Sequence, residues 1–265
     1  MEIQALYRDM DLTDNPGAEA LRISGKRGAL LSLLYTPGRR TQAPAVLLSH
    51  GFPGNEQNMD LAQGLRRLGF AVMTYHYSGS WGSDGEFSFL NCIEDANTVL
   101  DALMTHPAVN PERIYAVGHS MGGFVTAHLA AQRPEIRGSV LLCPWDACRS
   151  FALARGNLMH ILSGGYGYLR DANEEKFLEE LGANEEALRL DHLAPRLAGR
   201  SLCCIAAMED EDLPLDLHAR PFRDAMAAAG AEQFRYREIH GDHCFNATRL
   251  TLIDTVAREL LDMEE

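Results

Sequence analysis

The sequence has no long apolar run. None of its hydrophobic stretches approaches the ~18 residues needed to span a bilayer, so no membrane partner is expected. The opening residues, Met1-Glu2-Ile3-Gln4-Ala5-Leu6-Tyr7-Arg8-Asp9, lack a basic segment followed by an apolar one. No secretory signal is read there, and a cytoplasmic location is the expectation. Basic residues are few, 24 Lys and Arg against 37 Asp and Glu, and the net charge is −13. Nothing in that balance supplies a basic face for phosphates, which argues against a nucleic-acid partner. Cysteine is sparse too: there are six, and no two form a C-x-x-C pair. Cys143, Cys203 and Cys204 lie in apolar, strand-like runs and read as buried reduced thiols, with no metal expected.

What is present is an ordinary globular composition, 46% hydrophobic and 23% charged, over 265 residues. That length suits one large α/β domain, or one with an insertion. Leu21–Ser24 and Ala29–Tyr35 flank a Gly25-Lys26-Arg27-Gly28 turn and read as an edge hairpin. Thr36 to Arg40 reads as a loop, and residues 1–20 as irregular. Apolar runs at 45–49, 70–77, 114–117, 138–143, 201–208 and 233–239 then alternate with helical patterns at 56–68, 90–105, 124–131, 216–229 and 246–261. This alternation predicts a mostly parallel, doubly wound sheet. Residues 147–198 break the rhythm with further helical segments, and they are expected to form a helical cap within a single 1–265 domain.

One stretch organises the rest. The β-prone run Ile114–Val117 ends in Gly118-His119-Ser120-Met121-Gly122, and a small-residue helix follows. Strand, tight turn with serine at its tip, helix: this is the context of a nucleophile elbow, G-x-S-x-G. The two glycines let strand and helix pass close to the tip. A serine hydroxyl is a weak nucleophile and needs a base in reach, itself oriented by a carboxylate. His243, before the final helix, is the base expected, with His240 as the alternative. Asp210 is the acid expected, in the acidic loop Glu209–Asp212, with Asp146 as the other candidate. The backbone N–H groups of Phe52 and Met121 are the expected oxyanion donors. His119 and His128 neighbour the serine in sequence but are expected to point elsewhere, and His50 is expected to be structural.

The segments His50-Gly51-Phe52-Pro53-Gly54, Gly79-Ser80-Trp81-Gly82-Ser83-Asp84-Gly85, Gly118–Gly123, Ala207–Pro214 and Gly241-Asp242-His243-Cys244-Phe245 resemble the α/β-hydrolase superfamily over nearly the whole chain. Within it the chain is similar to bacterial cinnamoyl (feruloyl) esterases, through Asp242-His243-Cys244-Phe245. It is also similar to small prolyl-oligopeptidase-like hydrolases, through the loop at Trp81. It departs from those patterns at Ala207, where many members have glycine, and at His76, where such esterases often have aspartate. The resemblance implies an α/β-hydrolase fold and a Ser120, Asp210, His243 triad. The activity expected is hydrolysis of a small-molecule ester without cofactor. An aminopeptidase or acyl-peptide hydrolase is the second reading, with Asp171, Glu174 or Glu175 binding a substrate amine. A non-catalytic binding module is the third. Trp81, Met159, Leu162, Tyr166 and Tyr168 are the expected lining of the substrate pocket. Oligomeric state is left open, a homo-oligomer included.

Overall fold

The computed structural model describes residues 2–38 and 42–265. The last two residues of the expected 36–40 loop lie outside them. Eight strands form one sheet: β1 (Gly17–Gly25), β2 (Gly28–Thr36), β3 (Ala43–Ser49), β4 (Ala71–Tyr75), β5 (Val109–His119), β6 (Ile136–Leu142), β7 (Ser201–Ala207) and β8 (Phe234–Ile239). Their spatial order is β1-β2-β4-β3-β5-β6-β7-β8. The β1–β2 and β2–β4 pairings are antiparallel and the rest are parallel.

The continuous apolar runs follow from burial on both sides of the sheet. In β3, Ala45 and Leu47 enter one core while Val46 and Leu48 enter the other. The first core packs against α2 (Phe89–Thr105), α3 (Met121–Gln132) and α9 (Ala219–Ala228). The second packs against α1 (Met59–Arg67) and α10 (Arg249–Glu264). Between β6 and β7 lie α4 (Ala147–Leu153), α5 (Arg155–Ser163), α6 (Glu174–Ala183), α7 (Glu185–Leu188) and α8 (Ala194–Leu197). Their buried side chains, among them Leu158, Leu162, Phe177 and Leu181, join the first core. No described helix is long and apolar enough to cross a membrane.

Several boundaries shift from the sequence pattern for identifiable reasons. Helix α1 starts three residues later than its pattern. Asn58 precedes it in a left-handed conformation (φ 54°), and its buried Oδ1 accepts two bonds from Arg249 at 3.1 Å. Helix α10 is also delayed. The Asp242 carboxylate accepts the amides of Cys244 and Asn246 at 3.1 and 2.9 Å, and Phe245 sits at φ 55°. The segment 242–246 is thereby held as a turn. The early residues are less irregular than expected: Ile3–Tyr7 form a 3-10 turn whose Leu6 packs into the second core.

Candidate active site

The tip of β5 is strained. Ser120 has φ 57° and ψ −120°, a conformation that L residues seldom adopt and that the surroundings must impose. They do so through backbone. Ser120 N–H donates to Leu142 O at 2.8 Å, and Ser120 O accepts from the amides of Gly123, Phe124 and Trp145 at 2.9, 3.2 and 3.0 Å. A Cβ on Gly118 would lie 2.0 Å from Gly122 O, and one on Gly122 would lie 2.0 Å from Ser49 O. No side chain fits at either point, so the strand end, helix start and β3 converge beneath the serine. Helix α3 begins at Met121, three residues earlier than its pattern, so its N-terminal end lies directly after Ser120.

The loops after β7 and β8 meet beside this tip. His243 Nδ1 lies 2.7 Å from Asp210 Oδ2. The other carboxylate oxygen accepts Leu213 N–H at 2.7 Å. The Asp210 side chain is 1% exposed and that of His243 is 15% exposed. With a carboxylate on Nδ1, the ring carries its proton there and leaves Nε2 as an acceptor. Ser120 Oγ and His243 Nε2 take part in none of the hydrogen bonds among the described residues, where the His243 ring bonds through Nδ1. Ser120 and His243 both line one cavity of about 350 Å³. The two alternatives are placed elsewhere. His240 is exposed and pairs with Glu209 at 2.8 Å. Asp146 is buried and caps α4: its two oxygens accept Arg149 N–H at 2.8 Å and Leu190 N–H at 3.1 Å. Burial pushes the Asp146 carboxyl up to about 6.

The His50–Gly54 loop lies against the elbow, since a Cβ on Gly51 would sit 3.0 Å from Ser120 Cβ. Among the described residues neither Phe52 N–H nor Met121 N–H donates to a protein acceptor. Phe52 lines the cavity together with Trp145, Ile161 and Leu213, and the polar lining includes His160, Ser163 and Asp212. Trp81, Met159, Leu162, Tyr166 and Tyr168 are not among the lining residues. Leu158 and Leu162, one helical turn apart, are the face that α5 buries in the core. The cavity therefore meets residues 160, 161 and 163 instead. Trp81 and Tyr168 stack on each other, ring centroids 5.4 Å apart, and Trp81 Nε1 donates to Pro53 O at 2.7 Å. Tyr166 stacks on the buried Phe177.

His119 is not among the residues that line the cavity with Ser120, and it packs against His243. Its Nε2 is 2.8 Å from the backbone oxygen of His243, and the two rings lie 4.8 Å apart. Burial, with His243 adding to it, pushes the His119 ring down to about 3. It is neutral, and since a carbonyl only accepts, its proton is on Nε2. Strand alternation carried this signal: His119 shares a face with Val117, whose side chain enters the second core, on the α10 side. Cys143 is the other unforeseen neighbour. Its thiol, pushed well up by burial, lies within 4.8 Å of the ligand atoms of Asp210 and His243. The other buried histidines, like His119, stay outside the cavity lining. His50 Nδ1 bonds Gly51 O at 2.7 Å, and His128 contacts Leu188 O.

A family model described as alpha/beta hydrolase fold matches residues 44–201. The chain belongs to the alpha/beta hydrolase family. The matched stretch contains Ser120 and stops before Asp210 and His243. This hydrolase is 27% identical over 124 residues to Cutinase 2 of Thermobifida cellulosilytica, covering 46% of this chain and 47% of the relative. The match thus spans about half the length of that relative. Among solved structures, Est1E from Butyrivibrio proteoclasticus is 18% identical with a TM-score of 0.72, over 92% of this chain and 98% of that one. A puromycin-hydrolyzing peptidase of Mycobacterium tuberculosis is 17% identical with a TM-score of 0.71, over 96% of this chain and 40% of that one. At such identities the two structures share the hydrolase's fold.

Proposed function

We propose that this hydrolase is a serine carboxylester hydrolase acting on a small acyl or aryl ester. The observation that carries the reading is the Asp210–His243 bond of 2.7 Å at a cavity that Ser120 also lines. In this reading Ser120 Oγ attacks the ester carbonyl carbon as His243 Nε2 takes its proton. The bond to the leaving alkoxide breaks and His243 returns the proton to it. Asp210 holds the ring through Nδ1–H and stabilises the imidazolium formed at each step. The Phe52 and Met121 amides receive the oxyanion, each such donor being worth on the order of 10²–10³ in rate. Water, deprotonated by His243, then releases the acid and restores Ser120. No cofactor takes part in these steps.

Residues 147–198 act as the cap: His160, Ile161, Ser163 and Gly164 form one wall of the cavity. Gly165 sits against Phe52, and a Cβ there would lie 2.2 Å from the ring's Cζ. Gly165→Ala is therefore expected to push the Phe52 ring and the loop that carries its amide. On a p-nitrophenyl ester, kcat/KM should fall about tenfold or more, as expected when a group is displaced by ~1 Å. An unchanged kcat/KM would mean that the cap is not packed on Phe52 in solution.

The chemistry is tested with p-nitrophenyl acetate and butyrate, methyl ferulate, and alanine and proline p-nitroanilides. A fluorophosphonate probe accompanies the panel, with its adduct located by peptide mass spectrometry. The esters should turn over faster than the anilides, and the label should fall on Ser120. The reverse ranking would favour the peptidase reading. For that reading Asp171, Glu174 and Glu175 do not line the cavity, whereas Asp212 does. An unlabelled Ser120 would favour a binding module.

A further inference from the structure

Cys143, Asp210 and His243 come from the ends of three different strands, yet their ligand atoms all lie within 4.8 Å of one another. Among the described residues this is the group of His, Cys and carboxylate side chains with the spacing of a metal site. We propose that these three side chains form an inhibitory site for a zinc-class divalent cation. The inhibition, though not the binding of the ion, rests on the esterase reading above.

The donor set selects the class of ion. One thiolate, one imidazole and one carboxylate suit zinc and its borderline-soft neighbours, and not calcium or magnesium, which take oxygen ligands. The charges balance, since a thiolate and a carboxylate neutralise a divalent ion in a place that water scarcely reaches. Outer contacts are already in position. Ala207 N–H points at Cys143 Sγ from 3.3 Å, and Leu213 N–H holds Asp210 Oδ1 at 2.7 Å. His119 fixes the His243 backbone at 2.8 Å. Such contacts orient metal ligands. Zinc bond lengths of about 2.0–2.3 Å set tetrahedral donors about 3.4–3.6 Å apart. The Nδ1–Oδ2 pair, now 2.7 Å apart, would open slightly, and no pair would have to close by more than about 1 Å.

Binding follows a definite proton balance. The thiol gives up its proton to solvent as the S–metal bond forms. The Nδ1 proton leaves as the metal takes that lone pair, and Nε2 gains one, so that a single proton is released overall. The ring is then locked with hydrogen on Nε2. It has no lone pair left for the Ser120 proton, and Asp210 no longer serves it. The ion need not touch substrate to stop the reaction.

Cobalt(II) reports the site without reference to activity, through the near-ultraviolet thiolate-to-metal band. The intact protein should show this band and bind one ion per chain. Ser120→Ala should keep the band. Cys143→Ala and Cys143→Ser, checked for folding by circular dichroism, should lose it, the serine variant preserving an acceptor for Ala207 N–H. Zinc should lower p-nitrophenyl butyrate turnover at least tenfold, with recovery on EDTA. No band, or a band undiminished in both Cys143 variants, overturns the site. A band with turnover unaffected by zinc overturns the inhibition. A Cys143-dependent band in a protein inactive on every ester supports the ion site and counts against the esterase reading instead.

Discussion

Ser120→Ala is expected to lower ester kcat/KM by at least about 10³-fold, a loss of roughly 4 kcal/mol of transition-state stabilisation. In the proposed mechanism the hydroxyl forms the acyl-enzyme, and a methyl would leave His243 with no nucleophile to activate. On the same proposal the cavity and the Phe52 and Met121 amides would still bind ester and favour attack by water, so the residual rate should exceed the uncatalysed one. Folding should be little affected. The backbone of Ser120, not its hydroxyl, makes the bonds to Leu142, Gly123, Phe124 and Trp145. Circular dichroism and thermal melting of the variant should therefore match the parent within a few degrees. Progress curves for both proteins on p-nitrophenyl butyrate decide the matter. A fall of less than tenfold would remove Ser120 from the chemistry and leave the cavity as a binding site.

Gly122→Ala should have the largest effect on stability, and with a sign opposite to helix propensity. In the first turn of α3, alanine in place of glycine would ordinarily stabilise by up to ~1 kcal/mol. Here the added Cβ would meet Ser49 O at 2.0 Å and His50 O at 2.7 Å. Neither carbonyl can move freely, because Ser49 ends β3 inside the sheet. Overpacking against backbone is expected to cost about 3 kcal/mol or more. For a chain of this size that lowers the melting temperature by about 6–12 °C. Gly156→Ala is the matched control: it lies in α5, and nothing stands within 4 Å of its added Cβ. That variant should be neutral, or stabilised by up to ~1 kcal/mol. Urea or thermal unfolding of the two variants beside the parent measures both. Equal stabilities would mean that α3 and β3 do not approach as closely as described.

The aromatic residues of the cap mark where local reading stops. Tyr166 and Tyr168 sit in a glycine-rich loop, and their types alone suggested a pocket for an aryl group. Both instead find aromatic partners brought by distant segments, Phe177 and Trp81. A helix also presents several apolar faces, and α5 spends Leu158 and Leu162 on the core. Which residues meet the cavity is set by how the helix is rotated against the sheet, and no local pattern encodes that angle.

By itself the sequence determined the alternation of strand and helix, the serine at a glycine-flanked turn, and the order serine, acid, histidine along the chain. These are local or ordinal properties, carried by hydrophobic period, turn chemistry and the positions of loops after strands. Only the tertiary structure decided that Asp210 rather than Asp146 meets His243, since both follow parallel strands and differ in what packs above them. Likewise, it alone set His119 and Cys143 beside that pair. Their contacts join residues from about 65 to about 125 positions apart, and such distances close only when the strands carrying them are laid side by side in one sheet.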